Sequence, residues 1–271
     1  GSGVVVKTVG MDIEKMIRRE PSSMVFSLAS DSVRTWSQDS EVTARLKIAG
    51  TMIRDSLDDA RRYMEARGTE GLPQAEYNQR LEALTPVLQR RIPAVFHANR
   101  VEEIREAISI AADFDLRLIV SGGSQAWQVA NELAEATEGV ILGDSGVYSS
   151  EIRGGGEGWS VQGPAILTSA EVKVAFFGPG ASRRAMPNGR LSGEPVLNSA
   201  WAFRNGVPEV EALKMATLNA AEMFDVGDEI GSIEIGKKAD FIILEGHPFD
   251  YRVLPTMVFI DGVMVYRAPG G

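Results

Sequence analysis

The segments that decide the fold are Pro93-Ala94-Val95-Phe96-His97, Leu116-Arg117-Leu118-Ile119-Val120 and Gly139-Val140-Ile141-Leu142. Each is a short apolar run of the kind that forms a strand buried on both faces. Between them, residues 101–114 and 126–138 carry apolar side chains at helical spacing on one face and charged side chains on the other. The alternation βαβαβ predicts a parallel sheet covered by helices.

The same reading extends to both sides of this unit. Apolar runs near Val4, Val25 and Val174 add three candidate strands, which makes six in all. Helical patterns are predicted over four further ranges: 40–67, 73–91, 194–205 and 209–224.

The C-terminal part has strand patterns without helices between them. Strands are predicted over 239–244, 256–260 and 263–266, and Asp261-Gly262 between the last two is a strong hairpin signal. No helical pattern separates the last two strands, so they are expected to be antiparallel and to lie in a second layer.

Composition excludes several classes of protein. The chain has 271 residues, 44% hydrophobic and 24% charged, which is ordinary for a folded domain. A net charge of -9 without a basic cluster argues against nucleic acid as a partner. The absence of cysteine excludes disulfides, thiolate zinc sites and a cysteine nucleophile. No apolar run reaches the roughly 18 to 20 residues that cross a bilayer, so we expect no membrane span and a soluble chain.

The C-terminal part contains the run Ala212-Leu213-Lys214-Met215-Ala216-Thr217-Leu218-Asn219-Ala220-Ala221-Glu222-Met223 and then Gly231-Ser232-Ile233-Glu234-Ile235-Gly236-Lys237-Lys238-Ala239-Asp240-Phe241. Together these two segments resemble the closing signature of the amidohydrolase superfamily. The segment Ile92-Pro93-Ala94-Val95-Phe96-His97-Ala98-Asn99 is similar to the imidazolonepropionase-like branch, where a barrel strand ends in a metal-binding histidine. The resemblance covers roughly residues 92–267. It implies an α/β fold: part of a TIM-type (β/α) barrel over residues 1–230, and over 231–271 the C-terminal strands of a small, composite β-sandwich.

Six candidate strands fall short of the eight that such a barrel needs. The opening strand with the His-x-His pair of the family is also not matched. We therefore expect an N-terminal fragment or second chain to complete the barrel, and an oligomer to result. The alternatives are an open, rearranged sheet and a truncated chain whose exposed edges aggregate.

The resemblance also implies a divalent metal, zinc or similar, if the protein is active. His97 matches one metal-ligand position of the family. A histidine that binds no metal and is only held in place by hydrogen bonds fits the sequence about equally well. Lys7 could match the carbamylated lysine of some relatives, although a solvated strand-end lysine is the commoner case. The positions expected to give a second histidine and an aspartate read Val120-Ser121-Gly122-Gly123-Ser124 and Phe177-Gly178-Pro179-Gly180-Ala181-Ser182.

Three further residues are expected at the barrel mouth: Ser121, Ser124 and Asp144. Asp144 could equally cap a loop or a helix. His247 is predicted to be a surface turn residue. The Gly-rich stretch 154–163 could shape the mouth, but a plain surface loop is the more economical interpretation.

Two functions follow from the resemblance. One is hydrolysis of non-peptide carbon–nitrogen bonds in small molecules, with reduced metal use. The other is a non-catalytic binding or assembly subunit, a pseudoenzyme whose barrel mouth holds a small molecule or a partner. The family resemblance favours an exported bacterial protein, while the sequence itself leaves the compartment, the catalytic residues and the substrate open.

Overall fold

The fold is that of a computed structural model, which describes residues 1–7, 12–29, 39–68, 76–143, 158–177, 195–250 and 252–269. A curled six-stranded sheet forms half of a barrel, and a separate three-stranded sheet follows it. The strands of the first sheet are β1 (Ser2–Val6), β2 (Ile17–Ser27), β3 (Ala94–Ala98), β4 (Leu118–Gly122), β5 (Gly139–Leu142) and β6 (Val174–Phe176), paired in that order. The strands of the second are β7 (Phe241–Leu244), β8 (Pro255–Ile260) and β9 (Val263–Arg267). The expected fold class is confirmed, whereas the division into domains at residue 230 stays a prediction.

Helices connect the parallel strands and cover one face of the first sheet. They are α1 (Ile13–Met16), α2 (Asp39–Gly68), α3 (Gln79–Glu82), α4 (Thr85–Leu88), α5 (Val101–Phe114), α6 (Ala130–Ala136), α7 (Gly163–Ser169), α8 (Pro195–Arg204), α9 (Glu209–Ala216) and α10 (Leu218–Met223). A 3-10 turn, Ala126–Val129, precedes α6. None of the described helices is long and apolar enough to cross a membrane.

The first strand differs from its expected place in the barrel. Strands β2 to β6 are all parallel to their neighbours, but β1 pairs antiparallel with β2. The physical reason is the connection, because β1 ends at Val6 and β2 begins at Ile17. The ten residues between them are fewer than the dozen or more that the crossover of a parallel pair needs.

Two predicted helices are each divided in two. The described part of 73–91 forms α3 and α4, because Pro86 lies in the first turn of α4, where its missing N–H is tolerated. The range 209–224 divides into α9 and α10 at Thr217, whose φ and ψ are -135° and -89°. The Thr217 hydroxyl donates to the carbonyl of Leu213 at 2.9 Å.

Side chains of the parallel strands alternate between two apolar layers. Phe96, Val120 and Leu142 belong to the larger core that includes the covering helices. Val95, Ile119, Ile141 and Ala175 point the opposite way and pack with Met223 at the end of α10. Helix α10 therefore covers part of the face that the other helices leave open.

An ionic network joins the strand beginnings to the segment after α10. Arg117 donates to Glu138 at 2.6 and 2.9 Å and to Asp225 at 2.8 and 2.6 Å, and Arg19 pairs with Asp225 at 2.9 Å. Partial burial alone would raise the pKa of the Asp225 carboxyl, but the hydrogen bonds and charges of Arg117 and Arg19 outweigh it and lower that pKa. The network lies at the end of the sheet where β4 and β5 begin.

Candidate functional site

The candidate site lies at the carboxyl ends of the parallel strands, where catalytic residues of β/α barrels are found. Five residues stand in register across the sheet and share the face that α10 partly covers. They are Ser27, His97, Ser121, Ile141 and Ala175. This row carries one imidazole, two hydroxyls and two apolar side chains.

His97 and Ser121 are neighbours in this row. The Ser121 hydroxyl lies 3.5 Å from His97 Nδ1 and 3.5 Å from the carbonyl oxygen of Phe96, so both contacts are at the long limit for a hydrogen bond. Ser121 is 5% exposed and His97 is half-buried. The backbone carbonyl of His97 accepts from the N–H groups of Leu28 at 2.9 Å and Ala29 at 3.0 Å, which ties β3 to the end of β2.

Ser124 and Asn99 form a second pair just beyond the strand ends. The Ser124 hydroxyl donates to Asn99 Oδ1 at 3.2 Å, and the backbone N–H of Gln125 donates to the carbonyl of Asn99 at 2.9 Å. No role was predicted for Asn99 from the sequence. The position of Asn99, two residues after His97, could have indicated it, because alternate residues of a strand point the same way.

Gly122 lets the two pairs approach each other. Its φ is +93°, and a Cβ at this position would lie 2.5 Å from Asn99 Oδ1 and 3.0 Å from His97 Cε1. Glycine adopts this backbone conformation at little cost, whereas a larger residue would be strained and would have to displace the Asn99 side chain. A second histidine at Gly122 would therefore be unfavourable.

Glu103 is a buried carboxylate near the site, but it serves the backbone. It is 1% exposed and accepts from the N–H of Asn99 at 2.8 Å and of Arg100 at 3.2 Å, as in a capping box at the start of α5. This role satisfies otherwise unpaired donors and fixes the turn that carries Asn99.

Lys7 lies elsewhere. Its ammonium group pairs with the carboxylates of Asp240 at 2.9 Å and Asp261 at 2.6 Å, and its side chain is 10% exposed. Burial lowers the pKa of Lys7, but the two carboxylates raise it more, and the net shift is upward. Because Val6 pairs with Ile17 while His97 pairs with Ser27, Lys7 and His97 lie at opposite ends of the sheet.

The remaining predicted residues fall into two groups. Asp144, the glycine-rich stretch 154–156 and the segment Gly178–Ser182 lie outside the described residues. His247 lies after β7, as expected of a turn residue: its Nε2 is 3.1 Å from Glu209 Oε1, and its Nδ1 accepts from the N–H of Phe249 at 3.1 Å. The structure thus brings His97, Ser121 and Ser124 to one strand end and places Lys7 and His247 apart.

Among the described residues, the donor set at the strand ends does not fit a divalent metal ion. Such sites need three or four nitrogen, oxygen or sulfur ligands converging on one point. Over the described ranges, no group of three or more His, Asp or Glu residues could hold one. The row at the strand ends offers a single imidazole.

Comparisons with known proteins agree with this fold. A sequence profile described as the Amidohydrolase family matches residues 183–266. The imidazolonepropionase of Bacteroides fragilis is 27% identical over 233 residues, covering 72% of this chain and 53% of that protein. A 5-methylthioadenosine/S-adenosylhomocysteine deaminase of Thermoanaerobacter pseudethanolicus is 59% identical over 39 residues, 14% of this chain and 9% of that protein.

The solved structure of an amidohydrolase from Thermotoga maritima MSB8 superposes with a TM-score of 0.78 and 28% identity, over 99% of this chain and 68% of that one. The chain belongs to the amidohydrolase superfamily, whose members generally use a divalent metal ion such as zinc. The family expected from the sequence is thereby confirmed. The chain spans about half the length of the imidazolonepropionase that it matches.

Proposed function

We propose that this chain is a catalytically degenerate amidohydrolase-fold protein that acts as a binding or assembly subunit. The observation that carries the proposal is the row Ser27, His97, Ser121, Ile141 and Ala175 at the strand ends. Metal-dependent hydrolysis needs converging ligands to lower the pKa of a bound water. One imidazole beside hydroxyl and apolar groups does not supply them.

The same strand ends retain groups suited to holding a small polar molecule. His97, Ser121, Asn99 and Ser124 carry hydrogen-bonding atoms on neighbouring strand ends. Ligand sites typically place a few such polar groups beside apolar packing. In the same row Ile141 and Ala175 are buried and pack with Met223, so the polar groups would make the contacts to a ligand.

The second candidate is a hydrolase of non-peptide carbon–nitrogen bonds. It is favoured by the relatives, which are named as an imidazolonepropionase and a deaminase. It requires metal ligands from outside the described residues or from another polypeptide, with His97 as one ligand of this chain.

Metal analysis separates the two candidates. We expect the chain, produced with added zinc, purified together with any polypeptide that completes its barrel and then dialysed, to retain well below one equivalent of zinc, manganese, iron or nickel. His97→Ala should leave that content unchanged. The matched control is His247→Ala, since the chain has two histidines and His247 lies outside the candidate site. About one equivalent of metal that disappears in His97→Ala but not in His247→Ala would contradict the degenerate site and favour the hydrolase instead.

We also propose that another polypeptide segment completes the barrel. β1 and β6 are the two edges of the first sheet in the described chain. The Asn219 side-chain amide donates to the carbonyl of Val174 in β6 at 2.7 Å, so a further strand beside β6 would have to leave this bond in place or displace it. Exposed sheet edges pair readily with other strands.

If so, material isolated from the native source should contain this sequence together with further barrel strands, on the same or a second polypeptide. Intact-mass and native mass spectrometry measure this directly. A native preparation that consists of this chain alone, soluble and homogeneous, would contradict the completed barrel.

A further inference from the structure

We draw no further inference here: the strongest candidate, the apolar groove that extends from Lys7 between the segment after α10 and the strands β7 and β8, is an open face for which nothing in the described part of the structure shows what covers it.

Discussion

Replacing Arg117 by leucine is expected to lower the free energy of unfolding by about 3 kcal/mol, the lower part of the range for breaking a buried ion pair. Arg117 is 16% exposed and holds both Glu138 and Asp225 in paired hydrogen bonds. Leucine would leave two carboxylates facing each other across an apolar side chain. Because the two carboxylates are about one-third exposed, solvent can stabilise them, which limits the decrease in the free energy of unfolding. Urea denaturation followed by circular dichroism measures the change.

The matched control is Arg105→Leu. Arg105 also forms a paired contact with a carboxylate, that of Glu132, but the two side chains are about half exposed. Solvent screens such a pair, so its loss should be much smaller than that of Arg117. If both variants unfold at the same urea concentration, burial does not set the strength of the Arg117 network.

Gly139→Ala is expected to be at least as damaging, with a loss of roughly 3 kcal/mol from overpacking against rigid neighbours. Gly139 opens β5 with a φ of +156°, and a Cβ there would lie 2.7 Å from the backbone oxygen of Lys173 and 2.3 Å from Met223 Cε. The methionine can move, but the Lys173 carbonyl accepts the N–H of Val140 and is fixed in the sheet. The strand pairing between β5 and β6 must therefore shift.

Gly236→Ala separates steric overlap from backbone preference. Gly236 has a φ of +97°, but nothing lies within 4 Å of the Cβ position. Its substitution should cost only the conformational preference, about 1 kcal/mol. Thermal unfolding of both variants under identical conditions gives the comparison, and equal losses would show that no overlap occurs at Gly139.

The parallel core could be predicted because its signals are local. The runs around Val95, Leu118 and Val140 are apolar throughout, and helical spacing between them leaves one topology. The Asp261-Gly262 hairpin was likewise predicted from two residues, and β8 and β9 confirm it. The direction of β1 could not be predicted, because its apolar residues suit either pairing and only the length of the connection decides.

The site was predicted in part. His97, Ser121 and Ser124 meet at one strand end, since parallel strands in register bring their carboxyl ends together. The position of Lys7 depends on long-range pairing with Asp240 and Asp261, which no local pattern encodes. The role of Asn99 depends on the positive φ of Gly122, a conformation that the sequence permits but does not impose.

The close contact at Gly122 also bears on how the chain could regain metal binding during evolution. Any new side chain at this position meets the Asn99 amide oxygen before it can turn toward an ion, and the left-handed backbone resists branched replacements. A histidine at this position would therefore cost stability at the strand end through its left-handed backbone and would have to push the Asn99 side chain aside. Metal chemistry gained through this position would be favoured after Asn99 had been replaced by a smaller residue.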